Sequence, residues 1–392
     1  MNTNGQALSN TNAAGHTNAN ARNAQANAQG GIASAGTLAL NAGALDNSEG
    51  FIGSKKALNA TTGAVTNTDG GTILGQSTVA IDTQGASYDN TRGQTLAIGD
   101  LSVDAGSVNT TGGLLRSGGT TTINAATVDN SATSGPDQGI EGRNVGITAV
   151  DVKNRAGAVR ADANATLIAS GTVDNSAGGL ISARDTLAIV DPHGAKPADA
   201  AAKTLKVVNT GGTLAADKRL QLDAARFSGD GTLSASQDLS IALTQDVVNN
   251  AALSANGNLT YTTTGTFTNN SQLLAGNTLT VAGRTVDNNA NAEMSGTDTA
   301  ISAATLNNRG LIDSRGETRI DARAGAGAGV VNNVGTGRIY GDRISIAAGT
   351  LNNDAETVAG ITNAGTIAAR SRLDIAADSI NNREHALIFS GG

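Results

Sequence analysis

The chain has 392 residues, of which 39% are hydrophobic but only 2% aromatic, with no tryptophan and no cysteine. A core can form, yet Val, Leu, Ile and Ala have to fill it, and no disulfide braces it. The net charge of −7, with 15% of residues charged, leaves no basic surface for nucleic acid or anionic lipid, and no stretch reaches the roughly 18 apolar residues of a membrane helix.

Taken in chain order, residues 1–30 come first and are low in complexity. Leu8 is the only large apolar side chain between Met1 and Gly31, and Arg22 is the first basic residue. That is not the pattern of a signal peptide, and the segment is expected to be loose or frayed.

From residue 31 to 392 one short word recurs. It is an apolar anchor followed two positions later by Asn, as in Leu306-Asn307-Asn308 and Val331-Asn332-Asn333. Sixteen anchors run from Leu45, Val65 and Tyr88 through Val208 and Val248 to Ile380, mostly 19 to 21 residues apart, and thirteen carry the Asn. Between anchors, short pieces alternate apolar and polar residues, as do Leu239, Ile241 and Val248 in "DLSIALTQDVVNN". Alternation of this length is a strand signal, and no 3.6-residue apolar stripe competes with it.

Three short strands per ~20-residue unit make one coil of a parallel β-helix, in which each coil supplies the hydrogen bonds of the next. About 16 such coils are expected, an all-β solenoid over residues 31–392. The Asn marks a corner, because it tolerates left-handed backbone angles and its amide can stack as a ladder. Gly50, Gly70, Gly93, Gly112, Gly178 and Gly310 follow closely, which suits a turn needing positive φ. Between anchor and Asn, no two adjacent units both carry Asp, as expected if stacked carboxylates repel. Insertions are expected near 131–140 and 191–203, the segments that hold Pro136, Pro192 and Pro197, because proline cannot donate to a central ladder.

A catalytic centre is hard to find. The nearest candidate is Asp151, Lys153, Arg155 and Arg160 beside Asp129 and Asp174, best explained as solvated charge. His16, His193 and His385 are too far apart for a metal site, and the Gly/Ala run from Gly325 lacks the Lys-Ser/Thr of a phosphate loop. Seven aromatic residues are too few for a sugar- or base-stacking platform. No catalytic, cofactor-binding or metal-binding residue is therefore nominated, no cofactor is expected, and neither nucleic acid nor a small-molecule substrate is expected as a partner.

Units such as "GRIYGDRISIAAGTLNN" (Gly337 to Asn353) and "GGLISARDTLAIV" (Gly178 to Val190), with the ending "NNREHALIFSGG", resemble the filamentous haemagglutinin repeats of two-partner-secreted bacterial exoproteins. The resemblance implies a right-handed β-helical shaft of an adhesin or a contact-dependent growth inhibition effector. It further implies export through an outer-membrane two-partner secretion transporter, a receptor on a host cell or neighbouring bacterium, and a secreted or cell-surface location for the parent protein. The absence of an export signal, of a secretion domain and of a toxin-like domain makes an internal fragment the expectation. The rival reading is a β-helical polysaccharide lyase or glycoside hydrolase, which needs carboxylates and Arg clustered on consecutive coils.

Overall fold

A computed structural model describes residues 1–12, 31–194, 202–323 and 329–392. The chain is an all-β parallel solenoid of about 17 turns with a coil spacing of about 21 residues, and no α-helix occurs among the described residues. It divides into two compact units. One comprises Met1–Gly194, Thr204–Ala216 and Ser228–Thr232; the other comprises Ala195–Lys203, Asp217–Phe227 and Leu233–Gly392.

In the first unit each coil contributes one short strand to each of three parallel sheets. Ser87–Asp89, Gln94–Ala97 and Leu101–Asp104 form one coil, and Ser107–Asn109, Leu114–Ser117 and Thr120–Asn124 stack on it in register. Register is fixed by the core, because a one-residue slip would turn every apolar side chain outward. Ile81, Val103, Ile123, Ile147, Leu167 and Ile189 stand in one continuous file across six coils. None is more than 2% exposed, and full burial of each such side chain is worth roughly 1.5–3 kcal/mol.

The second unit follows the same plan with longer strands. Thr278–Asn288 and Asp298–Asn308 each run 11 residues through a corner without a break and pair along that length. Arg338–Val358 pairs with Thr366–Asn382 in the same way, apart from a register shift between Gly341 and Arg343.

Two anchors are off by one from the sequence reading. The stacked residues are Val207 on Val173 and Val247 on Phe267, not Val208 and Val248. Val247 is 7% exposed and Val248 is 56% exposed. In a Val-Val pair hydrophobicity cannot choose the inward member; the stack below chooses it. The residues two positions on are then Asn209 and Asn249, which strengthens the Asn column.

The N-terminal segment also differs from expectation. Ala7–Ser9 form a strand that pairs with Ala44–Asp46, placing Leu8 on Leu45, while residues 13–30 lie outside the described residues. "Leu8-Ser9-Asn10" is thus a further copy of the word, and it accounts for the turn beyond the sixteen anchors. Of the expected insertions, 131–138 leaves the stack as turns before the strand Gly139–Gly142. The 191–203 insertion is described only at its two ends. One excursion was not foreseen. Ala355–Val358 and Ile361–Ala364 form an antiparallel hairpin around Ala359-Gly360, whose φ values are +50° and +79°.

The glycines do two jobs rather than one. Gly70, Gly112 and Gly178 have positive φ, as expected. Gly50, Gly93 and Gly310 do not, and their reason is space. A Cβ on Gly50 would lie 2.0 Å from Asn10 O and 2.4 Å from Asn47 Oδ1. The left-handed position next to these glycines is often not glycine at all, as Ala132, Ala156 and Ala177 show with φ of +55°, +47° and +57°.

These two positions predict opposite outcomes for neighbouring substitutions. Ala156→Gly relieves left-handed strain and should stabilise the protein by about 0.5–1 kcal/mol. Gly157→Ala would set a methyl 2.1 Å from Asn130 O and 2.6 Å from Asn154 Oδ1 and should cost about 3 kcal/mol or more. Urea unfolding of the two variants reads both; equal midpoints would refute the assignment.

Candidate functional site

The most regular chemical feature is the corner built by the repeated Asn. Asn47, Asn67, Asn90, Asn130, Asn154 and Asn175 are fully buried, as are Asn209, Asn269, Asn288, Asn308, Asn333 and Asn353. Each inward amide has two N–H donors, and the stack uses both. Asn154 Nδ2 donates to Asn175 Oδ1 at 2.7 Å and to Leu180 O at 3.0 Å, both on the following coil. The same pair of bonds recurs at Asn67, with Asn90 Oδ1 and Gln94 O, and at Asn333, with Asn353 Oδ1 and Thr366 O. In the first unit the ladder begins at Asn10, which donates to Asn47 Oδ1 at 2.6 Å. A buried amide without partners would cost about 1–3 kcal/mol for each stranded group, so the column works only as a column.

Two rungs are different. Gly229 has no side chain to offer Asn209, whose Nδ2 donates to Thr232 O at 3.1 Å. Thr110 replaces Asn and accepts from Asn90 Nδ2 at 3.2 Å, while the next amide oxygen, Asn130 Oδ1, is buried without a partner.

A second ladder runs on the outer side of the corner and points the other way. Asn381 Nδ2 donates back to Asn352, Asn352 to Asn332, and Asn332 to Asn307, each at 2.8 Å, and Asn307 donates to Asp287 Oδ1 at 2.7 Å. The carboxylate closes the series as pure acceptor. In the first unit the outer position carries Asp46, Asp89, Asp129 and Asp174, and each Oδ1 accepts the backbone N–H two residues on. These Asp residues therefore cap turns, and their in-register neighbours on adjacent coils are neutral or, at Lys153, cationic.

The charged zone separates onto two sheets. Lys153 lies 3.8 Å from Asp129, Arg155 bonds Asp174 at 3.2 Å and Ser176 at 2.7 Å, and Asp151 Oδ1 accepts Thr172 N at 2.7 Å. Arg160 belongs to the strand Ala158–Ala161 and stacks on Glu141 and Arg116. Glu141 lies 2.7 Å from Arg116 and 3.0 Å from Arg160, and Asp137 takes the other side of Arg116 at 2.9 Å. Arg160 also donates to Gln138 O, so this network straps down the 131–138 insertion. Arg116, Asp137 and Glu141 were invisible as partners in the sequence because they come from different coils.

His193 Nδ1 lies 2.9 Å from Asp191 Oδ1, His385 sits in a turn with φ of +68°, and His16 lies outside the described residues, as does the Gly/Ala run from Gly325 apart from Gly329. Among the described residues no group of three His, Asp or Glu side chains is arranged to hold a metal ion.

Comparison with known families gives a match to the haemagglutinin repeat over residues 7–87, 254–353 and 346–392, more than half of the chain. The chain belongs to the haemagglutinin repeat family. No curated protein and no solved structure matches it. Haemagglutinin repeats are structural or adhesive elements, typical of secreted surface proteins, and the middle of this chain carries the same Asn column between the matched stretches.

In this haemagglutinin-repeat chain the buried carboxylate Asp191 has a clear task. It is 1% exposed, and burial pushes its pKa upward. The backbone N–H groups of Leu205, His193 and Thr204 outweigh burial and hold it below the ordinary carboxylate range. Because His193 lies just after Asp191 and Thr204 and Leu205 follow residues 192–203, one carboxylate ties the two ends of that insertion. Asp174 and Asp238 are also depressed. Backbone and Ser176 hydrogen bonds and Arg155 overcome burial at Asp174, and the Asn258 backbone N–H leads at Asp238.

Two expected outcomes follow. Thr110→Asn, nearly unchanged in volume, should supply the missing donor to Asn130 and raise stability by about 1–2 kcal/mol; an unchanged or lower thermal midpoint would count against the ladder. Lowered carboxylate pKa values stabilise the fold above the unfolded value near 3.9, and that contribution is lost as pH falls through the folded values. Asp191→Asn should therefore cost about 1–3 kcal/mol at pH 7 and make the acid limb of the stability curve shallower. Chemical denaturation between pH 2 and 7 measures this.

Proposed function

We propose that this chain is part of the shaft of a secreted bacterial surface protein, an adhesin or a contact-dependent inhibition effector. Its work is to hold a distal binding or toxin domain away from the cell. The observation that carries this reading is repetition: successive coils of a haemagglutinin-repeat chain reuse the same two amide bonds and the same aliphatic file. Such a structure resists extension, because no coil can leave without stranding the buried amides of its neighbours. The partners of this reading are an outer-membrane two-partner secretion transporter and a receptor on a host cell or neighbouring bacterium. The location is the secreted or cell-surface compartment. A polysaccharide-cleaving enzyme is less well supported, since Arg116, Arg155 and Arg160 are each engaged by a carboxylate or a turn.

Pulling the chain from its two ends tests the reading. With coils of about 21 residues, unfolding should proceed in steps that are multiples of about 70 Å of contour length. A single low-force collapse would remove the shaft. Release of reducing or unsaturated ends from a panel of acidic polysaccharides would instead revive the enzyme.

A further inference from the structure

Three of the seven aromatic residues fill the core: Tyr88 and Phe267 are fully buried, and Tyr261 packs edge-on against Phe267 at 4.7 Å between ring centroids. Phe51 and Phe227 are half-buried. The remaining two are Tyr340 and Phe389. Tyr340 points outward from its strand, between buried Ile339 and buried Gly341, and Phe389 is 52% exposed.

These two belong to one outward file of the second unit. Tyr340 pairs with Ala368, and Ala368 pairs with Phe389. Two strand spacings separate their Cα positions, about 9.5 Å, and the side chain between them is only a methyl. The file continues on the other side. Leu311 and Ile312 pair with Arg338 and Ile339, which brings Asp313 alongside Tyr340, and Ser295 pairs with Asp313. Asp313 is partly exposed at the end of this row.

We infer that the outward file Asp313, Tyr340, Ala368 and Phe389 is a binding platform for an extended, neutral, β-linked glycan lying along the coil axis. Pyranose rings present apolar C–H faces that stack on aromatic side chains, and an extended β-1,4 chain turns the same face down at each disaccharide step, a length close to the separation of Tyr340 and Phe389. The small Ala368 leaves a notch for the intervening sugar. The partly exposed carboxylate of Asp313 stands at the end of the row, where sugar hydroxyls can donate to it. Charge selects a neutral chain over an acidic one: the guanidinium beside the platform, Arg338, is already donating to Gly335 O, Gly337 O and Ala364 O, while Asp313 would repel a sulfate or uronate. The expectation that aromatics are too few for a sugar platform was set by their number. Stacking brings two of them into one file.

The site would give the proposed shaft a contact of its own, but the binding is a property of the purified chain, so its failure would leave the shaft reading standing. Titration calorimetry of the full chain with cellohexaose as probe should show binding that weakens at least tenfold for cellobiose. Tyr340→Ala and Phe389→Ala should each weaken it about tenfold, and Ala368→Lys, which fills the notch and keeps both rings, should abolish it. All three lie on the outer surface and should leave the thermal midpoint unchanged. Absence of binding to cellohexaose, equal binding of maltohexaose, tighter binding of a polyproline peptide, or insensitivity to all three substitutions would each overturn the assignment.

Discussion

The interaction on which the rest depends is the buried amide of one coil bonding to the amide and backbone of the next. An aliphatic file alone would hold a stack of coils together and would forbid a one-residue slip, which turns it outward, but apolar contact is non-directional and would tolerate a slip of two residues. The Asn column does not tolerate it. Each amide must find one oxygen and one carbonyl on the following coil, and a coil displaced by two residues would lose both. Packing therefore supplies the driving force and decides which face is inward, and the corner decides which inward residues meet.

The corner also explains which residues may neighbour it. At many corners the residue closing the turn has no Cβ, which leaves room for the amide, so glycine recurs against it without needing positive φ. The strained left-handed position beside it tolerates Ala, Asp, Glu or Arg. Outside, the second ladder runs opposite to the inner one, so the two rows of amide dipoles in the second unit oppose each other.

Function follows from what a regular stack leaves over. Strand interiors are committed to neighbours, and variation is confined to outward files and to corners. The insertions leave at corners: the 131–138 turns follow the ladder Asn130, and the Ala355–Ala364 hairpin emerges between the ladder Asn353 and Gly365, which closes its turn. The hairpin is pinned at its base by the Arg309–Glu356 pair, and that hydrogen bonding, which outweighs burial, holds Glu356 below the usual carboxylate range. Ion pairs such as Arg116–Glu141–Arg160 likewise fix an insertion instead of offering free charge.

By itself the sequence determined the solenoid: its period, its three strands per coil, its aliphatic core and its Asn corners, because each is a local pattern repeated until chance is excluded. It also placed Pro136 and Pro192 outside the strands, since a missing N–H is a local fact. Only the tertiary structure decided which member of Val207-Val208 and Val247-Val248 faces inward, that Leu8 opens the stack, and that "AETVAGITNAG" leaves as a hairpin although it alternates like a coil strand. Tyr340 and Phe389, far apart in the chain, become neighbours two coils apart in the same way. The physical reason is common to all four. Stacking relates residues a whole coil apart, and insertions of unequal length between coils hide that relation from any reading along the chain.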